Sequence, residues 1–218
     1  MTRQSSSKNA RMARLIGLAH RWRHDKRGVA AVEFAMIVPI MVVMFIGAVE
    51  LSQAITVDRR VTQVASSTAD LVARSEKKIS ESEIGDIMRV GGYLLDPYDQ
   101  NPLTIVLRNV TSSSTNATVA KQSWTCTYKG LGAAQTCACA NQSYTLPPNL
   151  VSTTDSVVVA DVSYSYTPLI FDYFLKRALT SSSGTAGTYT LSERIYMKPR
   201  GVAAMLVLSG VECPQPTF

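Results

Sequence analysis

The sequence predicts an α+β protein, with one long N-terminal helix followed by an antiparallel β-sheet domain with flanking short helices. Three observations carry that prediction. From Val29 to Val49 the only charged residue is Glu33, and Phe34–Val49 is uninterrupted apolar chain. Beyond it Leu51, Ile55, Val61, Val64, Leu71 and Val72 recur at near-helical spacing, with no Pro or Gly before Gly85. From Leu103 onward the chain changes character, into short stretches rich in Val, Ile, Thr and Tyr separated by Ser, Thr, Gly, Pro and Asn clusters.

The apolar run fixes the first element. Twenty-one residues at 1.5 Å rise make about 31 Å of helix, the thickness of a bilayer's hydrocarbon core. A buried helix of a soluble core would show a polar face, and this one has none. Pro39 inside it removes one hydrogen bond, which membrane helices tolerate. Charge sets the direction of insertion. Residues 1–28 hold eight Lys and Arg against Asp25 alone, so the chain's net charge of +6 belongs to this tract and the remainder is close to neutral. A basic tract directly before an apolar run fixes topology, which argues against a nucleic-acid partner; the N-terminus stays cytoplasmic and residues after about 50 are exported. The expected organisation is a basic leader (1–28), a membrane helix (29–50), a helical extension (51–76) and an exported α+β domain (77–218).

A single helix over about 30–74 is expected, with its C-terminal half packed on its own domain. Ser80 and Glu83 form a capping-box pattern, followed by Ile84, Ile87, Met88 and Gly91 on one short helical face. Gly91–Pro102 is a turn-rich connector, in which Asp96 and Asp99 are too few to hold calcium. Strands are expected at 103–110, 118–128, 156–166, 187–197 and 202–208. Pro168–Leu179 carries Ile170, Phe171, Phe174, Leu175 and Ala178 on one face and predicts a second short helix. Thr111–Thr115 and Ser181–Thr185 read as exposed loops. The sequons at Asn109, Asn116 and Asn141 read as chance.

Cys126, Cys137, Cys139 and Cys213 all follow the membrane helix, in the compartment where disulfides persist. Four cysteines allow three pairings. A bridge between Cys137 and Cys139, two residues apart, would be strained; one of them is expected to close onto Cys126 and the other to tie down Cys213, with the choice open. A Cys-only zinc site does not fit the C-x10-C-x-C spacing. No metal or other cofactor is expected.

Catalysis finds no foothold. Both histidines, His20 and His24, lie in the basic tract, which removes His-based triads and His-ligated zinc from the body. There is no glycine-rich phosphate loop and no motif-bearing nucleophile, so no enzyme activity is expected. Glu33 is the exception that asks for a role, because an ionised carboxylate at the apolar boundary costs several kcal/mol unless it is paired or solvated.

The stretch RGVAAVEFAMIVP (Arg27–Pro39) resembles a class 3, type IVb prepilin junction, and is similar to the N-terminal signature of the TadE/TadG-like minor pilins of Tad/Flp pilus systems. The resemblance covers about residues 27–52. It implies that a prepilin peptidase cuts between Gly28 and Val29, making Glu33 the fifth mature residue and Phe34 the sixth. It also implies a pilin-like spine, a bacterial inner-membrane location, entry into an extracellular filament, and other Tad pilins and the pilus assembly machinery as partners. In a bundle, Glu33 would pair with the free ammonium of a neighbour's Val29 and set axial register. Roles in pilus assembly or initiation and in surface adhesion follow from the family.

RGVAA recurs at Arg200–Ala204 without that context: the equivalent of Glu33 is Leu206, and the apolar run Val202–Leu208 has only seven residues. Other readings stay open. Ser52–Ala54 (SQA) loosely fits a signal-peptidase site that would release a secreted domain at Ile55. An uncleaved, single-pass periplasmic binding or sensor module is another. A type II secretion pseudopilin usually has Phe directly after the cut, and here Val29 stands there.

Overall fold

The computed structural model describes residues 28–168, 188–201 and 205–218. All of the expected helix at Pro168–Leu179 beyond Pro168, the Ser181–Thr185 loop and residues 1–27 of the basic leader lie outside the described residues. The α+β expectation holds: one long helix precedes sheets that are mainly antiparallel. The chain divides into two units, Met1–Ala48 and Val49–Phe218.

Helix α1 runs Val29–Arg74, within a residue of the expected span. Over residues 29–48 it is exposed on nearly every side. From residue 49 it becomes one-sided. Val57, Val61, Val64, Ala65, Thr68, Ala69, Val72 and Ala73 are buried, a stripe at the three-and-four spacing of a helix face. Four of these are valines, each contributing about 1.5 kcal/mol or more by burial. In the C-terminal half of the stripe Val61, Val64 and Val72 are buried as expected, but Leu71 is 38% exposed, and Ala65, Thr68 and Ala69 share the packed face instead. Leu51 and Ile55, in its N-terminal half, are exposed. Small residues line the packed face because they let the second helix approach closely; the larger ones fall on the other side.

That approach is visible at Gly91, where an added Cβ would meet Thr68 Cγ2 at 2.6 Å. Gly91 lies on α2 (Glu81–Tyr93), which is opened by the expected capping box: Glu83 N donates to Ser80 Oγ at 3.2 Å, and Ser80 N donates to Glu83 Oε2 at 2.7 Å. The carboxyl of Glu83 is held below its ordinary value by those bonds from the Ser80 backbone and side chain.

The main sheet is assembled from β2 (Leu103–Ser112), β3 (Val119–Lys129), β4 (Thr136–Cys139), β5 (Ser143–Thr145), β6 (Ser156–Tyr166) and β7 (Tyr189–Met197). Its order is β4-β3-β2-β6-β7, with β5 also on β3, and every pairing is antiparallel. Period-two alternation turns Leu103, Ile105 and Leu107 of β2 inward, with Cys126 and Tyr128 of β3 and Val158, Ala160 and Val162 of β6, onto the core shared with α1 and α2. A bulge between Asn109 and Val110 leaves Ser123 unpaired and shifts the register. Beyond it Val110, Ala120, Leu146, Val157 and Val159 form a second small core.

A three-stranded sheet is formed by β1 (Lys78–Ser80), β8 (Met205–Leu208) and β9 (Val211–Glu212), and here β1 and β8 run parallel. This parallel pair was not foreseen: three residues, Lys78–Ser80, are too few to show a strand period. Strands β4, β5 and β9 are equally short and were missed for the same reason. The remaining strands agree with expectation to within about three residues, β6 on both ends.

Candidate functional site

Three places hold the candidate residues: the start of α1, the disulfide edge and the end of the 49–218 unit that follows the apolar run. At the first, Val29 is the first residue of α1, and Gly28 directly before it is exposed, with open space where a Cβ would stand. Glu33 follows Val29 by four residues, one helical turn, and Phe34 is 65% exposed. The first turn of the helix carries no acidic residue, and Pro39 lies inside the helix. Residues 29–48 expose Met36, Ile40, Val43, Met44 and Phe45 among others, a continuous apolar surface far beyond what a soluble monomer shows. Among the described residues, α1 is the one helix long and apolar enough to cross a membrane, and none of its apolar window is buried. A buried core helix passes the same length test but is covered. This one is not.

At the second place, Cys126 is bonded to Cys137 and Cys139 to Cys213. Strand geometry accounts for the choice. Cys126 and Cys137 are direct cross-strand partners on β3 and β4. Cys139, two residues on, projects to the same side of β4. Being on the outer strand of the sheet, it reaches Cys213, whose N–H donates to Leu206 O at 2.8 Å. One bridge closes a hairpin; the other fastens the small sheet to the large one.

Residues of the third place escaped the sequence reading. Glu50 ends the apolar run and is 93% buried by the packing of its own unit, being 7% exposed. A groove of about 320 Å³ is lined by Gln53, Tyr98, Asp99, Pro102, Tyr164 and Tyr166. Of these, Tyr98 faces Arg60, whose guanidinium is 5.8 Å from the ring centre, with Nη1 donating to Leu94 O at 3.0 Å and to Asp96 O. Burial pushes the phenols of Tyr164 and Tyr166 up, with Asp99 adding to the first and Glu50 to the second. The signal available in the sequence was the alternation SYSYTP (Ser163–Pro168), which puts Tyr164 and Tyr166 on one face at the end of a strand.

Elsewhere, Arg108 and Arg194 both bond the Asp161 carboxylate across β2, β6 and β7. The arrangement is a cross-strand charge ladder. No group of three or more His, Cys, Asp or Glu side chains among the described residues is placed to hold a metal.

Comparison with known families fits the first place. Residues 28–70 match the family model described as TadE-like protein. Over that segment the chain is similar to that family. The match begins at Gly28 and ends on the packed face of α1, so it covers the apolar run and most of its helical continuation but none of the sheets. No curated protein and no solved structure matches the chain. The TadE-like family is one of pilus-associated, structural proteins, and the uncovered apolar helix fits membrane anchoring.

Proposed function

We propose that this chain is a minor pilin of a Tad-type, type IVb pilus, cut by a prepilin peptidase between Gly28 and Val29 and then assembled through its apolar helix. The coincidence of the TadE-like match with an uncovered apolar helix starting at Val29 supports this reading above all else. The basic tract before residue 29 holds the N-terminus in the cytoplasm, and residues 49–218 occupy the periplasm and, after assembly, the filament. The two disulfides suit that oxidising compartment.

Cleavage gives Glu33 its role. It leaves an ammonium on Val29 one turn before an otherwise unpaired carboxylate, each costly to desolvate alone. In a bundle of such helices, the Glu33 carboxylate of one copy accepts hydrogen bonds from the Val29 ammonium of the next. That pairing offsets both costs and fixes the axial step between subunits. Phe34 packs between neighbouring helices. The function follows: contributing to pilus assembly and initiation, and to attachment of the filament to surfaces.

The experiment is the intact mass and N-terminal sequence of membrane-extracted protein, together with a Glu33→Leu variant. The expected chain begins at Val29, and Glu33→Leu inserts normally into the membrane yet is absent from sheared filaments. A mature chain retaining residues 1–28, or starting at Ile55, overturns the processing. Wild-type incorporation of Glu33→Leu overturns the pairing.

A further inference from the structure

The three N-x-[S/T] sequons look alike in the sequence, and the structure separates them. Asn109 is 1% exposed beside the β2 bulge, and its Nδ2 donates to Ser123 Oγ at 3.3 Å. No modifying enzyme can reach it. Asn141 is exposed, but the two residues after it are fastened to β3. The Gln142 carbonyl accepts from Gln122 N at 3.0 Å, and Ser143 pairs with Lys121 as the first residue of β5.

Asn116 is exposed, on the turn that joins β2 to β3. Val119 N closes the turn by donating to Asn116 O at 3.1 Å, and Ser113 N donates to Val119 O at 2.8 Å across its base. The side-chain Oδ1 accepts twice from the sequon's own threonine, from Thr118 Oγ1 at 2.8 Å and from Thr118 N at 3.0 Å. Both bonds fall on the oxygen, and neither uses the Nδ2 hydrogens. The adjoining Ser114, Thr115 and Ala117 are all small. This arrangement favours chemistry at Nδ2. A carboxamide nitrogen is a weak nucleophile because its lone pair is delocalised onto oxygen. When Nδ2 gives up a proton, negative charge collects on Oδ1, where the two donors from Thr118 stabilise it.

We propose that Asn116 is an acceptor for N-linked glycosylation, by a transferase using a sugar activated as its anomeric diphosphate. Nδ2 attacks the anomeric carbon. The new carbon–nitrogen bond forms as the bond from that carbon to the diphosphate oxygen breaks. The diphosphate leaves with the electron pair, and the Nδ2 proton passes to a base of the transferase. The glycan stands clear of the groove lined by Gln53 and Pro102: that groove lies at the start of β2 and Asn116 beyond its end, with ten residues, about 33 Å of strand, between them.

The test is peptide mapping by mass spectrometry of the full chain, purified from the organism that makes it, beside variants expressed in the same cells. The wild type is expected to carry a glycan on the peptide holding Asn116 and none on those holding Asn109 and Asn141. Asn116→Gln and Thr118→Val should lose it completely, whereas Thr118→Ser, which keeps the hydroxyl donor, and Asn141→Gln should retain it. Asn116 is exposed and Thr118 half-buried, and neither belongs to a core cluster, so these substitutions leave the fold in place. An unmodified Asn116 in the wild type overturns the proposal. So does a glycan that persists in Asn116→Gln, which would sit on the hydroxyls of Ser113–Thr115, or one that is indifferent to Thr118→Val.

Discussion

The two disulfides close loops of very different size, and this gives a stability difference that can be worked from the structure. Cys126 and Cys137 are 11 residues apart; Cys139 and Cys213 are 74 apart. In the chain-entropy description, a cross-link stabilises by removing freedom from the unfolded chain, in proportion to the logarithm of loop length. At 25 °C that amounts to about 2.8 kcal/mol for the short loop and about 4.5 kcal/mol for the long one. The difference, about 1.7 kcal/mol, is more secure than either value, because the packing losses nearly cancel. Each bridge joins one fully buried sulfur, Cys126 at 0% and Cys213 at 1% exposure, to a more accessible partner on β4. The comparison is between Cys126→Ala/Cys137→Ala and Cys139→Ala/Cys213→Ala, as full chains in mild detergent. Urea unfolding is followed by near-ultraviolet circular dichroism, which reports the packed aromatic residues of the sheet. The second pair should lose more stability, by about 1.7 kcal/mol at equal m-value. An equal loss, or a larger one for the first pair, would refute the reasoning and place the stabilisation in native contacts instead of the unfolded chain.

Two further outcomes follow from the packing of α2. Gly91→Ala drives a methyl to 2.6 Å from Thr68 Cγ2 and 3.3 Å from Ile105 Cδ1. It should cost about 1–3 kcal/mol in the same unfolding assay despite alanine's higher helix propensity, and a stabilised variant would show that α1 and α2 can separate freely. Ser80→Ala removes the cap of α2 and should cost about 1 kcal/mol. It should also let the Glu83 carboxyl, now held below its ordinary value of 4.5, rise part of the way, because the Ser80 Oγ contribution is lost while the larger one, from the Ser80 backbone N–H, remains. Because that folded-state value is depressed, the linked stability is present above pH 4.5 and is lost as the pH falls through the lower folded value. The wild type's advantage over Ser80→Ala should therefore shrink on acidification. An advantage independent of pH between neutrality and acid would refute a contribution of the Ser80 hydroxyl to the shift.

How much of this was legible depends on how many residues carry each signal. The apolar run and its helical continuation announce themselves over more than forty residues, and α1 came out within one residue of expectation. The long strands β2, β3 and β6 each bear ten or eleven residues of Val, Ile, Thr and Tyr alternation and were found. The capping box was legible because two side chains at fixed spacing do the work. What failed was short or relational. Strand β1 owes its existence to a parallel partner more than a hundred residues away, and Lys78–Ser80 alone says nothing of it. The packed face of α1 was legible in part: Val61, Val64 and Val72 mark it as expected, but Leu71 does not, and Ala65, Thr68 and Ala69 belong to it by their smallness. The groove was invisible for the second reason too: Gln53, Tyr98 and Tyr164 come from a helix, a connector and a strand.

The same relational argument bears on where this chain differs from a plain membrane anchor. Glu33 and Glu50 bracket the apolar run, and composition alone treats them alike. The structure separates them. Glu33 lies on a stretch of α1 with no cover, one turn from the start of the helix, while Glu50 is buried by the packing of the 49–218 unit. A carboxylate buried by its own fold already has its surroundings, and substituting it should act on the stability of that unit. On the proposed reading, the uncovered carboxylate of Glu33 finds its partner in a neighbouring subunit. That is why loss of Glu33 should leave folding and insertion intact and show itself only when subunits meet.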